Sequence, residues 1–256
     1  MSSPKTETLS GAQIVVRLLE RQGVRTLSGI PGGAILPIYD AMSQSTLIHH
    51  VLARHEQGAG FFAQGMARAT GLPAVCMASS GPGATNLVTA IADAKLDSIP
   101  LVAITGQVPK SMIGTDAFQE VDTYGLTIPI TKHNFLVGSA EELLEVIPHA
   151  FRLAASGRPG PVLVDIPKDV QNQLVEVSEW PEPGVAVPVP IADAERIARA
   201  AAMINEAERP ILYLGGGVVH SGASGLAVAL AEKASLPSVM TLMALGAMPV
   251  DHPLSM

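Results

Sequence analysis

The sequence predicts an α/β fold, with a doubly wound parallel sheet followed by an incomplete second, Rossmann-like α/β domain. Two observations predict it. Short, continuously apolar runs such as 73–79, 100–106 and 161–167 are typical of parallel strands that are buried on both faces. These runs alternate along the chain with segments of helical periodicity, an order that places helices on both faces of a parallel sheet.

The elements of the first part are expected in strict alternation. The first helix is indicated by Ile14, Val15, Leu18 and Leu19, which repeat at helical spacing behind a capping residue, Ser10. Helices are expected over 10–22, 34–43, 57–70, 84–95 and 140–156, and strands over 24–30, 47–54, 73–79, 100–106 and 161–167. Residues 107–133 are polar and irregular, and so long a connection is usually functional.

The second part predicts one strand–helix–strand unit after a linker. Residues 176–191 contain four prolines, which is typical of an interdomain linker. Helices are expected over 193–207 and 223–234, and strands over 210–215 and 237–243. The chain thus divides into domains at 1–175 and 192–256. Because two parallel strands cannot cover both faces of a sheet, we expect the sequence to stop inside its second domain.

The composition excludes several classes of protein. A net charge of −7 and an isoelectric point near 5.5 argue against a nucleic-acid partner. Cys76 is the single cysteine, so an internal disulfide or a Cys-rich metal site is impossible, and the scattered histidines lack metal-ligand spacing. No apolar stretch reaches the roughly 18 residues of a membrane span, and the N-terminus lacks a signal-peptide core. We therefore expect a cytoplasmic protein without a membrane partner.

Two glycine-rich turns each follow a strand and open a helix, at Gly81–Gly83 and at Gly215–Gly217. Both keep the first two glycines of the dinucleotide fingerprint G-x-G-x-x-G, but Asn86 and His220 stand in the third position. A plain tight turn explains each of them as well, and no Walker-type lysine follows either.

Glu56 and Lys168 lie where predicted strands end. Carboxyl ends of parallel strands face the ligand crevice of such sheets, and the small or apolar residues over 58–62 would shield Glu56 from water. A glutamate in the first turn of a helix is also a common partner of the helix dipole, and Lys168 also fits a solvated turn. From these residues alone both interpretations stay open.

Six longer motifs are more specific than any of these residues singly. They are GIPGGAILPIYDA, ARHEQGAGFFAQGMAR, SSGPGATNLVTAIADAKLDSIPLVAITGQV, IGTDAFQEVD, TKHNFLV and SGRPGPVLVDIPKDVQ. Together they resemble the thiamine-diphosphate enzymes, and within them the catalytic (large) subunits of the acetolactate synthase family. The resemblance runs from about residue 9 to the end of the chain. It implies a pyrimidine-binding domain over 1–175 and the start of a flavin-binding middle domain over 192–256.

The resemblance also implies roles for particular residues. Glu56 would hydrogen-bond N1′ of the aminopyrimidine ring, with Pro82 and Asn86 beside that ring. Pro31, Gly32, Gly33 and Ala34 would line the mouth of the cofactor and substrate site. The substrate channel would be lined by Phe118, Gln119 and Lys168, so that the implied catalytic set is Glu56, Gly33, Gln119 and Lys168. Contacts to FAD are implied for Arg158, Gly215, Gly216, Gly217, Thr241, Leu242 and Met243.

The implied reaction decarboxylates pyruvate on thiamine diphosphate and ligates the two-carbon unit to pyruvate or 2-ketobutyrate, toward the branched-chain amino acids. The family also implies Mg²⁺, whose ligands would lie in a third domain outside this sequence, and FAD in a structural role. It implies a homodimer formed through the pyrimidine-binding domain and a small regulatory subunit.

Three alternatives remain beside this interpretation. A related carboligase or decarboxylase would share the first domain, although glyoxylate carboligase is expected to lack a glutamate at position 56. The 256-residue piece alone would be inactive if it is a truncated product. A nicotinamide-dependent Rossmann protein rests only on the two incomplete fingerprints and lacks an acidic ribose ligand at the usual distance from Gly83.

Overall fold

A computed structural model describes residues 6–256. Its contacts divide the chain into two compact units, one ending at Pro188 and one spanning Val189–Met256. The domain boundaries that the sequence suggests, at 175 and 191, stay predictions.

The strands and helices of the first unit alternate along the chain. The strands are β1 (Glu7–Ser10), β2 (Thr26–Gly29), β3 (His49–Leu52), β4 (Ala74–Ala78), β5 (Leu101–Gln107), β6 (His133–Leu136), β7 (Pro161–Pro167) and β8 (Leu174–Val177). The helices are α1 (Gly11–Arg21), α2 (Leu36–Ser43), α3 (Glu56–Thr70), α4 (Pro82–Asp97), α5 (Thr123–Thr127), α6 (Leu143–Ala155) and α7 (Lys168–Asn172).

Six of these strands form one parallel sheet in the order β3-β2-β4-β5-β7-β6. The predicted doubly wound α/β fold is therefore confirmed. The order reverses direction between β2 and β4, because β3 lies on one side of β2 and all later strands lie on the other. Ligands of open α/β sheets bind at such a switch point, outside the carboxyl ends of the strands.

The two faces of the sheet have separate cores, which explains why the central strands are apolar at every position. On β4, Val75 and Met77 pack into the core shared with α1, α2 and α6. Ala74, Cys76 and Ala78 pack on the opposite face, against α3 and α4. The residues on the α3–α4 side are mostly alanines, so these two helices approach the sheet closely.

Three strands and the short helices α5 and α7 of the first unit were not expected from the sequence. β6 begins at the end of the region expected to be irregular; it is an edge strand with exposed His133 and Leu136, so it shows no continuous apolar run. β1 and β8 form a separate antiparallel pair in which Glu176 lies opposite Thr8. Alternation over only four residues gives such strands a weak signal.

The second unit contains α8 (Ala194–Glu206), β9 (Leu212–Leu214), α9 (Gly216–His220), α10 (Ser224–Ala234) and β10 (Ser238–Met240). β9 and β10 are parallel, as predicted. Within residues 6–256, no helix combines the length and the apolar character needed to cross a bilayer. In the same range, no group of three or more His, Cys, Asp or Glu side chains is placed to hold a metal ion.

Candidate cofactor and active site

Glu56 is the first residue of α3 and follows the end of β3, at Leu52, after three connecting residues. The preceding residue, His55, caps the helix because its Nδ1 accepts a hydrogen bond of 3.1 Å from the Gln57 backbone N–H. The cap fixes the point where strand geometry changes to helix, and with it the direction of the Glu56 side chain. The Glu56 side chain is half-buried, so the shielding expected from residues 58–62 is partial in a single chain.

The carboxylate of Glu56 faces the first turn of α4. Asn86 Nδ2 donates a hydrogen bond of 2.9 Å to Glu56 Oε2. Beside the other oxygen lies Gly83, where a Cβ atom would come within 3.6 Å of Glu56 Oε1 and 3.3 Å of Ser79 Cβ. A side chain at position 83 would therefore crowd Glu56 Oε1, the oxygen that does not accept from Asn86.

The glycine-rich turn after β2 packs against the end of β4. A Cβ atom on Gly32 would lie 2.5 Å from Ser79 Cβ, and the Ala34 backbone N–H donates to Ser79 Oγ at 3.2 Å. Gln171 Nε2 donates to the Ala34 carbonyl at 2.8 Å and holds the turn from the other side. Pro31 and Gly33 are exposed at the outer edge of this turn. Ser79 and Gln171 were not expected to support this turn, because both contacts depend on the tertiary fold.

The long loop over 108–122 reaches the turn between β4 and α4. Gly81 has φ +54° and ψ −120°, a region that glycine adopts without strain, and a Cβ atom there would lie 2.5 Å from the Gln119 carbonyl oxygen. Gln119 itself has φ +56°. Its neighbour Phe118 is 87% exposed. The backbone of Gln119 therefore packs directly against the backbone of Gly81, where a side chain would not fit. This contact places Gln119 beside Pro82, the first residue of α4.

Lys168 is the first residue of α7, immediately after the end of β7. The structure therefore puts the predicted residues 31–34, 56, 82, 86, 119 and 168 at the carboxyl ends of β2, β3, β4, β5 and β7. Direct contacts link Gly32 to the end of β4, Glu56 to Asn86, and Gln119 to Gly81.

A buried polar cluster lies in the sheet near this edge and was not anticipated from the sequence. Asp165 accepts hydrogen bonds from Thr105 Oγ1 at 2.7 Å and from Gln107 Nε2 at 3.0 Å. Burial raises the pKa of Asp165 to about 7, and the charge of Asp122 adds to the rise, while the two hydrogen bonds oppose it. The sequence signal that could have pointed to this cluster was an aspartate inside the apolar run 161–167.

The buried thiol of Cys76 has its pKa raised to about 12 by desolvation, so it is not a nucleophile of this site.

The residues implied to bind FAD fall into both units. In the second unit, Gly215 caps α9, and a Cβ on Gly216 would lie 3.0 Å from Met243 Cβ. The Thr241 N–H donates to the Leu214 carbonyl at 2.9 Å, so 215–217 and 241–243 lie side by side. In the first unit, Arg158 donates to Ser98 Oγ at 2.6 Å and to the Leu96 carbonyl at 3.0 Å.

Two family models match this chain. The N-terminal TPP (thiamine pyrophosphate) binding domain of thiamine pyrophosphate enzymes matches residues 9–126, and the central domain of the same enzymes matches residues 197–256. The first match contains Glu56, Gly83, Asn86 and Gln119, and the second contains the glycine turn at 215–217.

Three proteins similar to this chain are named as acetolactate synthases. The acetolactate synthase isozyme 1 large subunit of Escherichia coli is 64% identical over 258 residues, covering 100% of this chain and 46% of the relative. The acetolactate synthase large subunit of Corynebacterium glutamicum is 52% identical, covering 99% of this chain and 41% of the relative. A probable acetolactate synthase large subunit of Methanocaldococcus jannaschii is 48% identical, covering 97% and 43%. The chain thus spans less than half the length of these relatives. It belongs to the thiamine pyrophosphate enzymes, and it resembles their acetolactate synthase large subunits over its whole length.

Proposed function

We propose that this chain is part of an acetolactate synthase catalytic subunit, which joins two molecules of pyruvate, or pyruvate and 2-ketobutyrate, with loss of CO₂. The single observation that carries the proposal is the arrangement of Glu56, Asn86 and Gly83 in a chain whose relatives have that name. A carboxylate with one oxygen held by an amide and the other beside a glycine fits one edge of an aminopyrimidine ring.

Thiamine diphosphate, when bound, supplies a nucleophilic carbon and accepts the electrons released as CO₂ leaves the keto acid. The task of Glu56 is to exchange a proton with a ring nitrogen through Oε1. Asn86 holds Oε2 and so keeps Oε1 turned toward Gly83. A positioned carboxyl group of this kind contributes about 10²–10⁴-fold to a proton-transfer step.

The substrate would enter at the edge formed by the turn 31–34, the loop over 108–122 and the start of α7. Lys168 supplies a positive charge for the carboxylate of a keto acid, and Gln119 supplies an amide for its oxygen atoms. Phe118, exposed in the single chain, would close over the bound substrate and exclude water. Gly33 is exposed with no atom within 4 Å of a Cβ position, so the substrate can approach the backbone there.

The wider assembly is part of the same proposal. FAD would bind at the paired segments 215–217 and 241–243 of the second unit, as a structural cofactor, and Mg²⁺ would be held by residues outside this sequence. A second copy would pack on α3, where Phe61 and Phe62 are 39% and 37% exposed.

The words "large subunit" in the relatives' names point to a smaller partner chain, and we propose that this smaller chain is regulatory. The single buried cysteine fits a reducing, cytoplasmic location.

Product analysis of the full-length protein tests the proposal. With pyruvate, thiamine diphosphate, Mg²⁺ and FAD, we expect acetolactate and CO₂ in equal amounts, and 2-aceto-2-hydroxybutyrate when 2-ketobutyrate is added. Condensation of glyoxylate without reaction of pyruvate would instead assign the chain to a related carboligase. Hydride transfer from NADH would assign it to the nicotinamide enzymes, and no turnover of any keto acid would overturn the proposed reaction.

A further inference from the structure

The buried amide of Gln107 links the centre of the sheet to the far end of loop 108–122. Its Nε2 donates to Asp165 Oδ2 at 3.0 Å and to the Val121 carbonyl at 3.1 Å, so both amide hydrogens are used. Its Oε1 accepts from the Val108 backbone N–H at 2.9 Å. Because each of these atoms has a partner of the required kind, the amide cannot turn over without losing hydrogen bonds.

Asp165 fixes the orientation of that amide. Its side chain is 1% exposed, its second oxygen accepts from Thr105 Oγ1 at 2.7 Å, and no ion pair of residues 6–256 includes it. A buried carboxyl group without a cation is costly, and an apolar residue in the middle of β7 would avoid that cost. A carboxyl group at this position is therefore better explained by what it holds than by sheet stability.

The loop is held at both of its ends. Near its start, Lys110 donates from its backbone N–H to Asp169 Oδ1 at 3.1 Å and from Nζ to the Gly138 carbonyl at 2.6 Å. Near its end, the hydrogen bond from Gln107 to Val121 is two residues from Gln119, whose backbone lies on Gly81. The position of Gln119 over the site thus depends on Gln107.

We propose that Gln107 and Asp165 are positioning residues, which fix the Val121 end of the loop and hold Gln119 against Gly81. The effect of this anchor on substrate binding rests on the proposed function, whereas the anchoring of the loop does not.

Amide hydrogen exchange of the full-length protein, with thiamine diphosphate, Mg²⁺ and FAD present, tests the anchor without reference to turnover. Gln107→Met removes both donors at similar volume, and we expect residues 112–121 to exchange about tenfold faster. Gln64→Met is the matched control, because Gln64 is equally buried and its Nε2 donates at 2.6 Å to a backbone carbonyl, that of Ala90, between α3 and α4. This control should leave the exchange of 112–121 unchanged.

Asp165→Asn distinguishes an anchor from a general effect on packing. The asparagine carbonyl can still accept from Gln107 Nε2, and its amide can donate to Thr105 Oγ1, so loop exchange should stay within about twofold of the parent protein. If Gln107→Met does not fold, Gln107→Asn carries the test, because its shorter side chain cannot reach both Asp165 and Val121. Equal loop exchange in the Gln107 variants and in Gln64→Met would overturn the proposal, as would acceleration in Asp165→Asn equal to that in the Gln107 variants.

Kinetics supply the second readout. Gln107→Met should raise KM for pyruvate about fivefold or more while the Kd of thiamine diphosphate stays unchanged, because Glu56 and Asn86 do not contact the loop anchor. A parent protein that makes no acetolactate but shows the expected loop exchange would refute the proposed function and leave the anchor intact. An active parent whose Gln107 variants keep both KM and loop exchange would refute the anchor alone.

Discussion

Asn86 Nδ2 donates a 2.9 Å hydrogen bond to Glu56 Oε2, joining residues that are 30 positions apart in sequence. The bond connects the first residue of α3 to the fifth residue of α4 at the carboxyl edge of the sheet. It leaves Glu56 Oε1 beside Gly83 and thereby defines which oxygen is available for a ligand.

Removing this amide should weaken catalysis without unfolding the protein. In Asn86→Ala, Glu56 Oε2 loses its donor and the carboxylate gains rotational freedom, so we expect acetolactate formation to fall about tenfold. Asn205→Ala, on the exposed surface of α8, is the control and should keep the full rate. An Asn86→Ala enzyme that is as fast as this control would show that the hydrogen bond does not orient the carboxylate.

A methyl group at position 83 should block the cofactor and spare the fold. Gly83 is the second residue of α4, where alanine favours the helix, but the new Cβ would occupy the space within 3.6 Å of Glu56 Oε1. We expect Gly83→Ala to keep its thermal midpoint and to bind thiamine diphosphate about tenfold or more weakly. Gly225→Ala offers the matched comparison, because Gly225 is the second residue of α10 and has no atom within 4 Å of its Cβ position. Equal cofactor affinity in both variants would contradict the assignment of this space to the ring.

Two features of Gly81 disfavour a side chain there: its positive φ and the close contact with Gln119. A variant at Gly157 measures the cost of positive φ without such a contact. Gly157 has a similar φ of +58° but no atom within 4 Å of its Cβ position, so Gly157→Ala should cost about 1 kcal/mol of unfolding free energy from backbone strain alone. Gly81→Ala carries backbone strain of at least this size, because its ψ of −120° lies outside the left-handed helical region, and its Cβ also meets the Gln119 carbonyl at 2.5 Å. We expect it to cost at least about 1 kcal/mol more, measured by urea denaturation. A smaller cost than that of Gly157→Ala would mean that the loop does not rest on Gly81.

The raised pKa of Asp165 predicts a pH dependence of stability. The unfolded carboxyl loses its proton near its ordinary pKa of 3.8, whereas the folded one keeps it up to about pH 7. The unfolded state therefore binds fewer protons between these values, and Asp165 makes the protein less stable as pH rises through that window. Asp165→Asn removes this loss, so its unfolding free energy relative to the parent should improve between about pH 4 and pH 7 and then level off. A difference that does not change with pH would place the pKa of Asp165 near its ordinary value.

Much of the fold was predictable because its strongest signals are local. Apolar runs located β4, β5 and β7, and the alternation with helices predicted a parallel sheet whose carboxyl ends gather Glu56, Asn86 and Lys168. The edge strand β6 was missed because exposed residues interrupt its apolar pattern.

The buried hydrogen bonds beneath the site could not be predicted from local sequence patterns. The Thr105–Asp165 hydrogen bond requires that β5 and β7 are neighbours in register, and the Gln107–Val121 bond requires that a loop folds back on its own strand. The spacing of apolar and polar residues within one segment predicts neither of these two hydrogen bonds. The contact between Gly81 and Gln119 likewise depends on the path of a loop that carries no repeating pattern.

The most direct measurement is the rate of acetolactate formation by the full-length protein with Glu56 and with Glu56→Gln, at saturating thiamine diphosphate. Glu195→Gln is the control, because Glu195 also lies in the first turn of a helix, α8, and tests the helix-dipole role alone. We predict that Glu56→Gln lowers kcat at least about 100-fold while Glu195→Gln keeps the parent rate. An unchanged rate in Glu56→Gln would show that this carboxyl group does not move the proton, and would contradict the proposed role of the site.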